Sequence, residues 1–493
     1  MKAFSAIVKL TCRAALRSFF LRGLVIFLFI ALLLLLPFLL HTDGTAAGWI
    51  KINLEYSFSL TVFILALSSV WLGASVITED VVDARLHLIV TKPVSRITVF
   101  FAKYCGVLLI HGVVLAAAAM MIYGLTLYRI GTADFEEGER EKLKKEVLAG
   151  RRIYAPDPIE ETVNKEVTGL MDRLQREAEA RGEKMPKEWV TVRDRNNEFS
   201  LDEVRRRYAD RIRTELTTAA PRGGSMRWTY SGLPENIDSK MRIRFRIYDT
   251  DGTTIRHTTY GVFGWAYHAP MNIASSGKDW SSKTVFFEPA PGMAHTWNTG
   301  VVLETEIPVE VRELGDDLLM VKDGKGTLYY ENRDNARAHE FMPEYGPYLL
   351  VPVTGFFANF CRALLPLLAA VITFAAFGCS FSAMFSLPMG IFLSFVYVTV
   401  SLSTRFLLEI FEKTVVTPHG FMEKVGFYSS KFFEDILIDP AAYSPGPELA
   451  SGELIEWGAV GMLYLLSLIR VLPFMAIAVY VYYRRELALA VKD

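Results

Sequence analysis

Six stretches of mostly apolar residues run along the chain, separated by segments rich in charge. The first, residues 23–40, has no charged side chain and, as a helix, is long enough to cross a hydrocarbon core of about 30 Å. The second, residues 56–78, and the third, residues 104–128, also have spanning length, with His111 as the one ionisable group in the third. A cleaved signal peptide is the alternative for the first stretch, but the run exceeds a normal signal-peptide core and further spans follow.

The fourth and fifth spans are predicted from one long apolar run, residues 363–404, which contains no charge over 42 residues. A single helix of that length would measure about 63 Å, roughly twice the bilayer core, so the run has to fold back. The break is predicted within residues 379–390, where Pro388 and several small residues disfavour a continuous helix. The sixth run, residues 457–483, is interrupted by Arg470. Six spans place both termini on the same side.

The distribution of lysine and arginine predicts the orientation. The N-terminal segment 1–22 carries Lys2, Lys9, Arg13, Arg17 and Arg22 and no acidic residue. The loop 78–103 is also rich in basic residues, the tail 484–493 opens with two arginines, and the loop 405–456 is acidic on balance. We therefore expect both termini and the loop 78–103 in the cytoplasm, and residues 129–348 and 405–456 outside.

The N-terminal segment also shows helical amphipathicity. Lys2, Lys9, Arg13 and Arg17 share one side of a helix, which is typical of a helix lying in the membrane interface with its basic side toward lipid headgroups. A short cytoplasmic lead-in to the first span remains the alternative.

The polar middle of the chain, residues 129–348, changes its hydrophobic period. Residues 132–218 are predicted to be helical: apolar residues recur at helical spacing in 159–180, and Ser200 with Glu203 forms a capping box for a second helix. From about residue 225 the period becomes two. Alternating core positions are Met241, Ile243, Phe245 and Ile247 in one strand and Leu303, Thr305, Ile307, Val309 and Val311 in another.

A tight hairpin is predicted around residues 323–326, within a β-sandwich-like module over 225–345. The predicted fold is therefore an α-helical integral membrane protein with six transmembrane helices and an extracytoplasmic α+β domain. Its parts are an interfacial helix (1–22), spans one to three (23–128), the extracytoplasmic domain (129–348), spans four to six (349–483) and a cytoplasmic tail (484–493).

The composition excludes several classes of function. The formal net charge is −1, which gives no reason to expect nucleic-acid binding, and the four cysteines all lie in or beside apolar runs, so the polar middle has no disulfide framework. His339-Glu340 lacks the second histidine of a zinc-protease motif, and no G-x-S-x-G or metal-binding spacing occurs, so we expect neither an enzyme nor a metal site.

Some side chains of the polar middle allow two interpretations. The tryptophans Trp228, Trp265, Trp280 and Trp297 either pack in a sandwich core or stack on a sugar ring. The histidines His257, His268 and His295 are scattered, as surface or core histidines are. The arginine row Arg242, Arg244 and Arg246 is either a solvated strand face or a surface for an acidic ligand or partner.

Residues 78–96 form an ordered polar segment between the second and third spans. Thr78 is predicted to cap a short helix with Glu79 and Asp80 in its first turn, and Val82, Leu86 and Ile89 line one side of it. Pro93 ends that helix after Lys92, and Ser95 caps the next one, which begins at Arg96. A solvated connecting loop is the alternative.

This segment resembles the permease subunits of ABC-2 type transporters, particularly the six-span branch found with nitrous-oxide reductase maturation and gliding-motility systems. The shared pattern is an acidic residue after span two, a leucine and isoleucine-valine core, Lys-Pro-Val-Ser-Arg, and a lysine at the head of span three. The matching residues are Glu79, Leu86, Ile89, Val90, Lys92, Pro93, Val94, Ser95, Arg96 and Lys103. Members often carry Gly-Thr where this chain has Ala84-Arg85. The resemblance covers the six spans and leaves out residues 129–348.

The resemblance implies that residues 78–96 are a coupling helix that docks on a cytoplasmic ATPase. Its contact residues would be Glu79, Val82, Arg85, Leu86, Ile89, Lys92, Pro93, Ser95 and Arg96. Two permeases, identical or different, and two ATPases would form the transporter in the bacterial inner membrane. The chain has no phosphate-binding loop of its own, since Leu319 and Gly326 replace required residues around Gly324-Lys325, so ATP would be bound by the partner.

Two expectations about function follow. The first is a permease subunit for substrate export, with an external domain that receives or hands on substrate or contacts a periplasmic partner. The second is a membrane-anchored receptor or scaffold whose external domain binds a ligand without transport. Arg470, three residues before Pro473 in the sixth run, either lines a translocation path or dimer interface, or snorkels to the surface.

Overall fold

The chain forms two compact units, which we call the helical unit (Met1–Gly150 with Thr354–Asp493) and the β-rich unit (Arg151–Val353). The polar domain predicted at 129–348 thus has its boundaries at residues 151 and 353. The computed structural model describes residues 2–36, 45–82, 94–133, 135, 138–182, 205–210, 212, 219–235, 241–249, 258–267, 283–287, 296–298, 302–307, 321–334, 336–341, 345–414, 421–437 and 440–484.

The helical unit is built around long apolar helices. Its helices are α1 (Lys2–Arg17), α2 (Phe19–Ile30, continued by the π-helical turn Ala31–Leu35), α3 (Ala46–Val82), α4 (Arg96–Thr132), α5 (Glu139–Glu146), α7 (Phe356–Met384), α8 (Leu387–Thr414), α9 (Phe421–Ile436), α10 (Gly446–Ala450) and α11 (Trp457–Arg484). Among the described residues, α3, α4, α7 and α11 are long and apolar enough to cross a membrane. The bent pair α1 and α2 would add a fifth crossing, and α8 contributes a shorter apolar stretch. The chain is therefore a membrane-embedded protein with a helical core.

The long apolar run 363–404 is divided as its length required. Helix α7 ends at Met384 and α8 begins at Leu387, inside the stretch where the break was predicted. Pro388 is the second residue of α8, where the missing backbone N–H would have had no helical acceptor in any case.

Helices α3 and α7 approach each other closely because glycine lies at their contact. A β-carbon on Gly378 would lie 2.4 Å from the Val70 carbonyl oxygen, and one on Gly73 would lie 2.8 Å from that of Ala375. Small residues at such crossings allow backbones to approach and increase van der Waals contact. The buried side chains around this contact form the core of the helical unit, which includes Phe58, Ala370 and Phe377.

The predicted acidic loop 405–456 has more structure than a loop. Helix α8 extends to Thr414, and α9, a 3₁₀ turn at Pro440–Tyr443 and α10 follow. Tyr443 is fully buried, and its hydroxyl lies 2.6 Å from Ser467 Oγ and 3.2 Å from Thr373 Oγ1. This part of the segment belongs to the packed interior of the helical unit.

The β-rich unit contains α6 (Ile159–Ala180) and twelve described strands. The strands are β1 (Ala149–Tyr154), β2 (Ala219–Ala220), β3 (Ser225–Ser231), β4 (Arg242–Arg246), β5 (Tyr248–Asp249), β6 (Thr258–Tyr267), β7 (Lys283–Phe287), β8 (Thr296–Asn298), β9 (Val302–Glu306), β10 (Lys325–Asn332), β11 (His339–Glu340) and β12 (Tyr348–Gly355). Strand β1, which starts at the end of the helical unit, lies in the region predicted to be entirely helical. Helix α6 has the bounds that its apolar spacing predicts, and a further helical piece covers residues 205–210. Ser200 and Glu203 lie outside the described residues.

The described strands of this unit form three sheets. Their strand orders are β1-β12-β4-β9, then β3-β10-β6-β7 with β8 also paired to β6, and β2-β11-β5. The alternation of β4 predicted its buried side: Met241, Ile243, Phe245 and Ile247 are each fully buried. The Phe245 and Phe263 rings, from different sheets, lie 4.6 Å apart, so the first two sheets share one core.

The turn before β10 has the predicted tight geometry. Asp323 and Gly324 have φ angles of +53° and +70°, and the backbones of Lys322 and Lys325 exchange two hydrogen bonds. Two successive residues with positive φ are typical of a type I′ turn, which explains the Asp-Gly pair. Because a strand follows instead of a helix, residues 324–325 do not form a phosphate-binding loop.

The tryptophans within the described part of the unit pack in its interior. Trp265 is fully buried, and Trp228 packs edge-on against Phe341 at 5.0 Å. Core packing is therefore confirmed for these two. Trp280 and the histidines at 257, 268 and 295 lie outside the described residues, as does the side chain of Trp297.

Candidate functional site

The candidate site lies where α3 ends and α4 begins, on either side of residues 83–93. Ser95 caps α4 as predicted, since its Oγ accepts a hydrogen bond from the Thr98 backbone N–H at 3.1 Å. Arg96 is the first residue of that helix. The predicted contact residues Arg85, Leu86, Ile89, Lys92 and Pro93 lie outside the described residues.

The start predicted for the short helix is wrong. Thr78 lies inside α3, which continues without interruption to Val82, and its hydroxyl donates to the Ala74 carbonyl at 2.9 Å. No glycine or proline separates Ala74 from Val82, and a threonine hydroxyl readily bonds the carbonyl four residues back within a helix. Glu79 and Val82 consequently belong to the last turn of α3 and not to the first turn of a new helix.

A buried lysine connects the two helices that flank residues 83–93. Lys103, on α4, is 6% exposed, and its ammonium donates to the Val76 carbonyl of α3 at 2.7 Å. Val76 lies six residues before the C-terminal end of α3 at Val82. Lys103 therefore links the last two turns of α3 to the second turn of α4.

A second link includes α11. The Arg96 guanidinium, at the first position of α4, donates to the carbonyl of Tyr483 at 2.9 Å. Tyr483 is the penultimate residue of α11. The ends of α3, α4 and α11 are thus tied together by two cationic side chains at the place where the chain enters and leaves residues 83–93. We call this arrangement the three-helix joint.

Helix α1 packs near the same joint. Thr11 lies against Gly106 of α4, where a β-carbon would come within 2.7 Å of its side chain, and Ala15 is buried close by. The axis of α1 is bent by 68° from that of α2. Lys2, Lys9, Arg13 and Arg17 are all exposed on the side opposite the buried residues, so the helix is amphipathic as its sequence predicted.

Arg470 lies in the middle of α11, which extends continuously through Pro473. Its side chain is half-buried, at the border between buried Ser467 and Val471 and an exposed apolar side that includes Leu468 and Leu472. The helix does not begin after Arg470, so the charge lies well inside the apolar segment.

A different polar cluster occupies the β-rich unit and corrects one sequence interpretation. The arginine row of β4 is not a solvated face. Glu304 of β9 accepts hydrogen bonds from Arg244 Nε and Arg151 Nη1, both at 2.8 Å, and Arg242 Nε lies 3.6 Å from it. Arg246 instead lies over the rings of Tyr248 and Tyr345, each at 4.9 Å.

The charges in this cluster are removed from water. The Arg151 side chain is 1% exposed, and that of Glu304 is 14% exposed. Burial raises the pKa of the Glu304 carboxyl, but the guanidinium groups of Arg151 and Arg244 outweigh it and hold the pKa below its ordinary value. The alternation along β4 had placed the arginines on the side of the strand that faces away from the core, and this side is shielded from water as well.

A third cluster surrounds His339 on β11, which is 1% exposed. Its Nδ1 lies 2.7 Å from the Tyr330 hydroxyl, its Nε2 is hydrogen-bonded to the Thr259 hydroxyl, and that hydroxyl donates to Asp334 at 3.1 Å. These contacts join β6, β10 and β11. The described residues contain no group of histidine, cysteine, aspartate or glutamate side chains able to hold a metal ion.

Sequence reasoning missed the contacts between distant segments. Asn359, at the start of α7, donates to the Glu453 carbonyl at 2.7 Å and accepts from the Ile455 N–H at 2.9 Å. His111 and Ser68 form a buried pair at 3.0 Å between α4 and α3. Neither the Asn359 contacts nor the His111–Ser68 contact produces a local pattern in the sequence. No family model, curated protein or solved structure matches the chain.

Proposed function

We propose that the chain is the permease subunit of an ABC-2 type transporter, which couples ATP hydrolysis on a separate ATPase subunit to export of a substrate across the bacterial inner membrane. The observation that carries this proposal is the three-helix joint. A segment that only connects two spans needs no such bracing. A segment that transmits a displacement from another subunit has to be attached to the helices that it moves.

In this mechanism Leu86 and Ile89 enter an apolar groove of the ATPase, and Arg85 and Lys92 pair with charges at its rim. Closing of the ATPase pair on ATP displaces residues 83–93. The bonds from Lys103 to α3 and from Arg96 to α11 carry that displacement into three helices together, so that the spans change between two packings.

The proposed topology has six spans with both termini in the cytoplasm. It takes α2 and α8 as the first and fifth spans beside the four long apolar helices. Helix α1 then lies along the inner surface of the membrane, which agrees with its bend of 68° and its exposed basic side. The β-rich unit is external, where it receives or hands on the substrate or contacts a periplasmic partner.

Co-purification tests the proposal. The chain is expressed with its neighbouring genes, extracted in mild detergent and isolated by an affinity tag. We expect an ATPase to be isolated with it, and we expect the double variant Leu86→Asp, Ile89→Asp to lose that subunit while eluting as a folded protein in size exclusion.

The matched control is the double variant Leu487→Asp, Leu489→Asp in the tail, which carries the same change of side chain on the same proposed side of the membrane. It should retain the ATPase. If the intact chain is isolated without any nucleotide-binding partner, the receptor or scaffold function gains the support that the permease loses.

A further inference from the structure

Helix α9 carries an exposed apolar stripe, formed by Met422, Val425, Tyr428 and Phe432. Their exposed fractions are 79%, 46%, 65% and 60%. Spacings of three and four residues place them on one side of the helix. A contiguous set of large apolar side chains on the surface indicates contact with something other than water.

The opposite side of α9 has a different character. At helical spacing, the charged positions Glu423, Lys424, Lys431, Glu434 and Asp435 fall on the remaining arc. The helix has 16 residues and is therefore about 24 Å long, too short and too charged to cross a core of about 30 Å. An apolar side opposite a strongly charged one is typical of helices that lie in the plane of a membrane interface.

The position of α9 in the chain indicates a lipid surface as its contact. Residues 415–420, six in number, connect it to the apolar helix α8, and even a fully extended chain of six residues spans only about 20 Å. Helix α9 also packs against α8. Helix α8 exposes Phe392 and Phe395, at 59% and 46%, as expected for a helix that faces lipid.

We propose that α9 lies in the membrane interface beside the end of α8, with its apolar stripe in the acyl-chain region. Tyr428 is of an aromatic type enriched at that depth, and Phe432 is of a type found on the apolar side of interfacial helices. Lys431 is exposed and follows Tyr428 by three residues, from where its stem can extend to the lipid headgroups. This proposal rests on the chain being embedded in a membrane and not on transport.

Site-specific photocrosslinking tests it on the full-length chain in nanodiscs of phosphatidylcholine. The photoreactive residue p-benzoylphenylalanine replaces Tyr428 or Phe432, one aromatic residue for another, and mass spectrometry identifies the adducts after irradiation. Phe392 serves as the lipid-facing comparison, and Tyr260, an aromatic residue 50% exposed on the β-rich unit, serves as the matched control.

We expect phospholipid adducts at positions 428 and 432 with a yield close to that at position 392, and only background at position 260. Crosslinks from both stripe positions to a second copy of the chain, or to another protein, would overturn the proposal. So would the absence of lipid adducts at both positions in a sample where position 392 forms them. Either result is independent of whether an ATPase binds the chain.

Discussion

Replacing Glu304 with glutamine removes a negative charge that lies beside three arginines of the β-rich unit, Arg151, Arg242 and Arg244. The side chain keeps nearly the same shape, and the amide oxygen can still accept one hydrogen bond. What is lost is the charge that compensates the guanidinium groups of Arg151 and Arg244, both at 2.8 Å.

The magnitude follows from burial. With Arg151 1% exposed and Glu304 14% exposed, water replaces the lost partner poorly. Removing one partner of a buried ion pair typically costs about 3–5 kcal/mol, because the remaining charge stays buried. Since glutamine retains one acceptor, we expect a loss of about 3 kcal/mol in the free energy needed to separate β4 from β9.

Hydrogen exchange of the full-length protein in detergent measures this quantity. About 3 kcal/mol corresponds to exchange roughly 100 times faster for the amides of β4 and β9. The control is Glu331→Gln, which breaks the ion pair between Glu331 and Arg333. The side chain of Glu331 is 39% exposed and that of Arg333 is 47% exposed. An exposed pair contributes about 1 kcal/mol or less. If exchange in Glu304→Gln stays within a few-fold of that in the control, the buried cluster does not hold this sheet.

Three further predictions concern both units. The pKa of Glu304 and that of Asp334 both lie below their ordinary values. Burial raises both pKa values, but at Glu304 the charges of Arg151 and Arg244 outweigh burial. At Asp334 hydrogen bonds from Ala336 and Thr259, together with the charge of His339, outweigh it. The stability that these two carboxylates contribute to the folded state is therefore complete at neutral pH. It is lost as the pH falls from about 4 toward their pKa values in the folded state. The thermal midpoint of the β-rich unit should drop in that pH range, and less steeply in Glu304→Gln. Lys103→Met removes a charged hydrogen bond of about 1.5–3 kcal/mol and should speed tryptic cleavage within residues 83–93, whereas Lys103→Arg keeps a donor; equal cleavage in both variants would contradict the link. Gly378→Ala should reduce the yield of monodisperse protein, because its β-carbon would lie 2.4 Å from a Val70 backbone oxygen, and Gly112→Ala, with no atom within 4 Å, should not.

A helix or strand is predicted well where a single period of apolar residues dominates its sequence. The bounds of α6, the buried side of β4 and the break between α7 and α8 were all predicted from apolar spacing or from length against bilayer thickness. In each case the evidence lies within the segment that forms the feature.

Prediction fails where the deciding contact comes from a distant segment. A row of arginines at every second position shows which side of a strand avoids the core, but not that Glu304 and Arg151 will meet it there. At Thr78 the sequence predicted a helix cap, but the threonine hydroxyl donates to the Ala74 carbonyl four residues back, within a helix that no glycine or proline interrupts there. The link from Lys103 to Val76 depends on two helices whose relative rotation no local pattern gives.

The close contact of α3 and α7 constrains how a membrane-embedded chain of this kind can rearrange. Gly73 and Gly378 bring the two backbones so near that sliding one helix along the other would drive bulkier neighbours into main-chain atoms. The pair has to move as one rigid body. Any displacement of α3 therefore moves α7 with it.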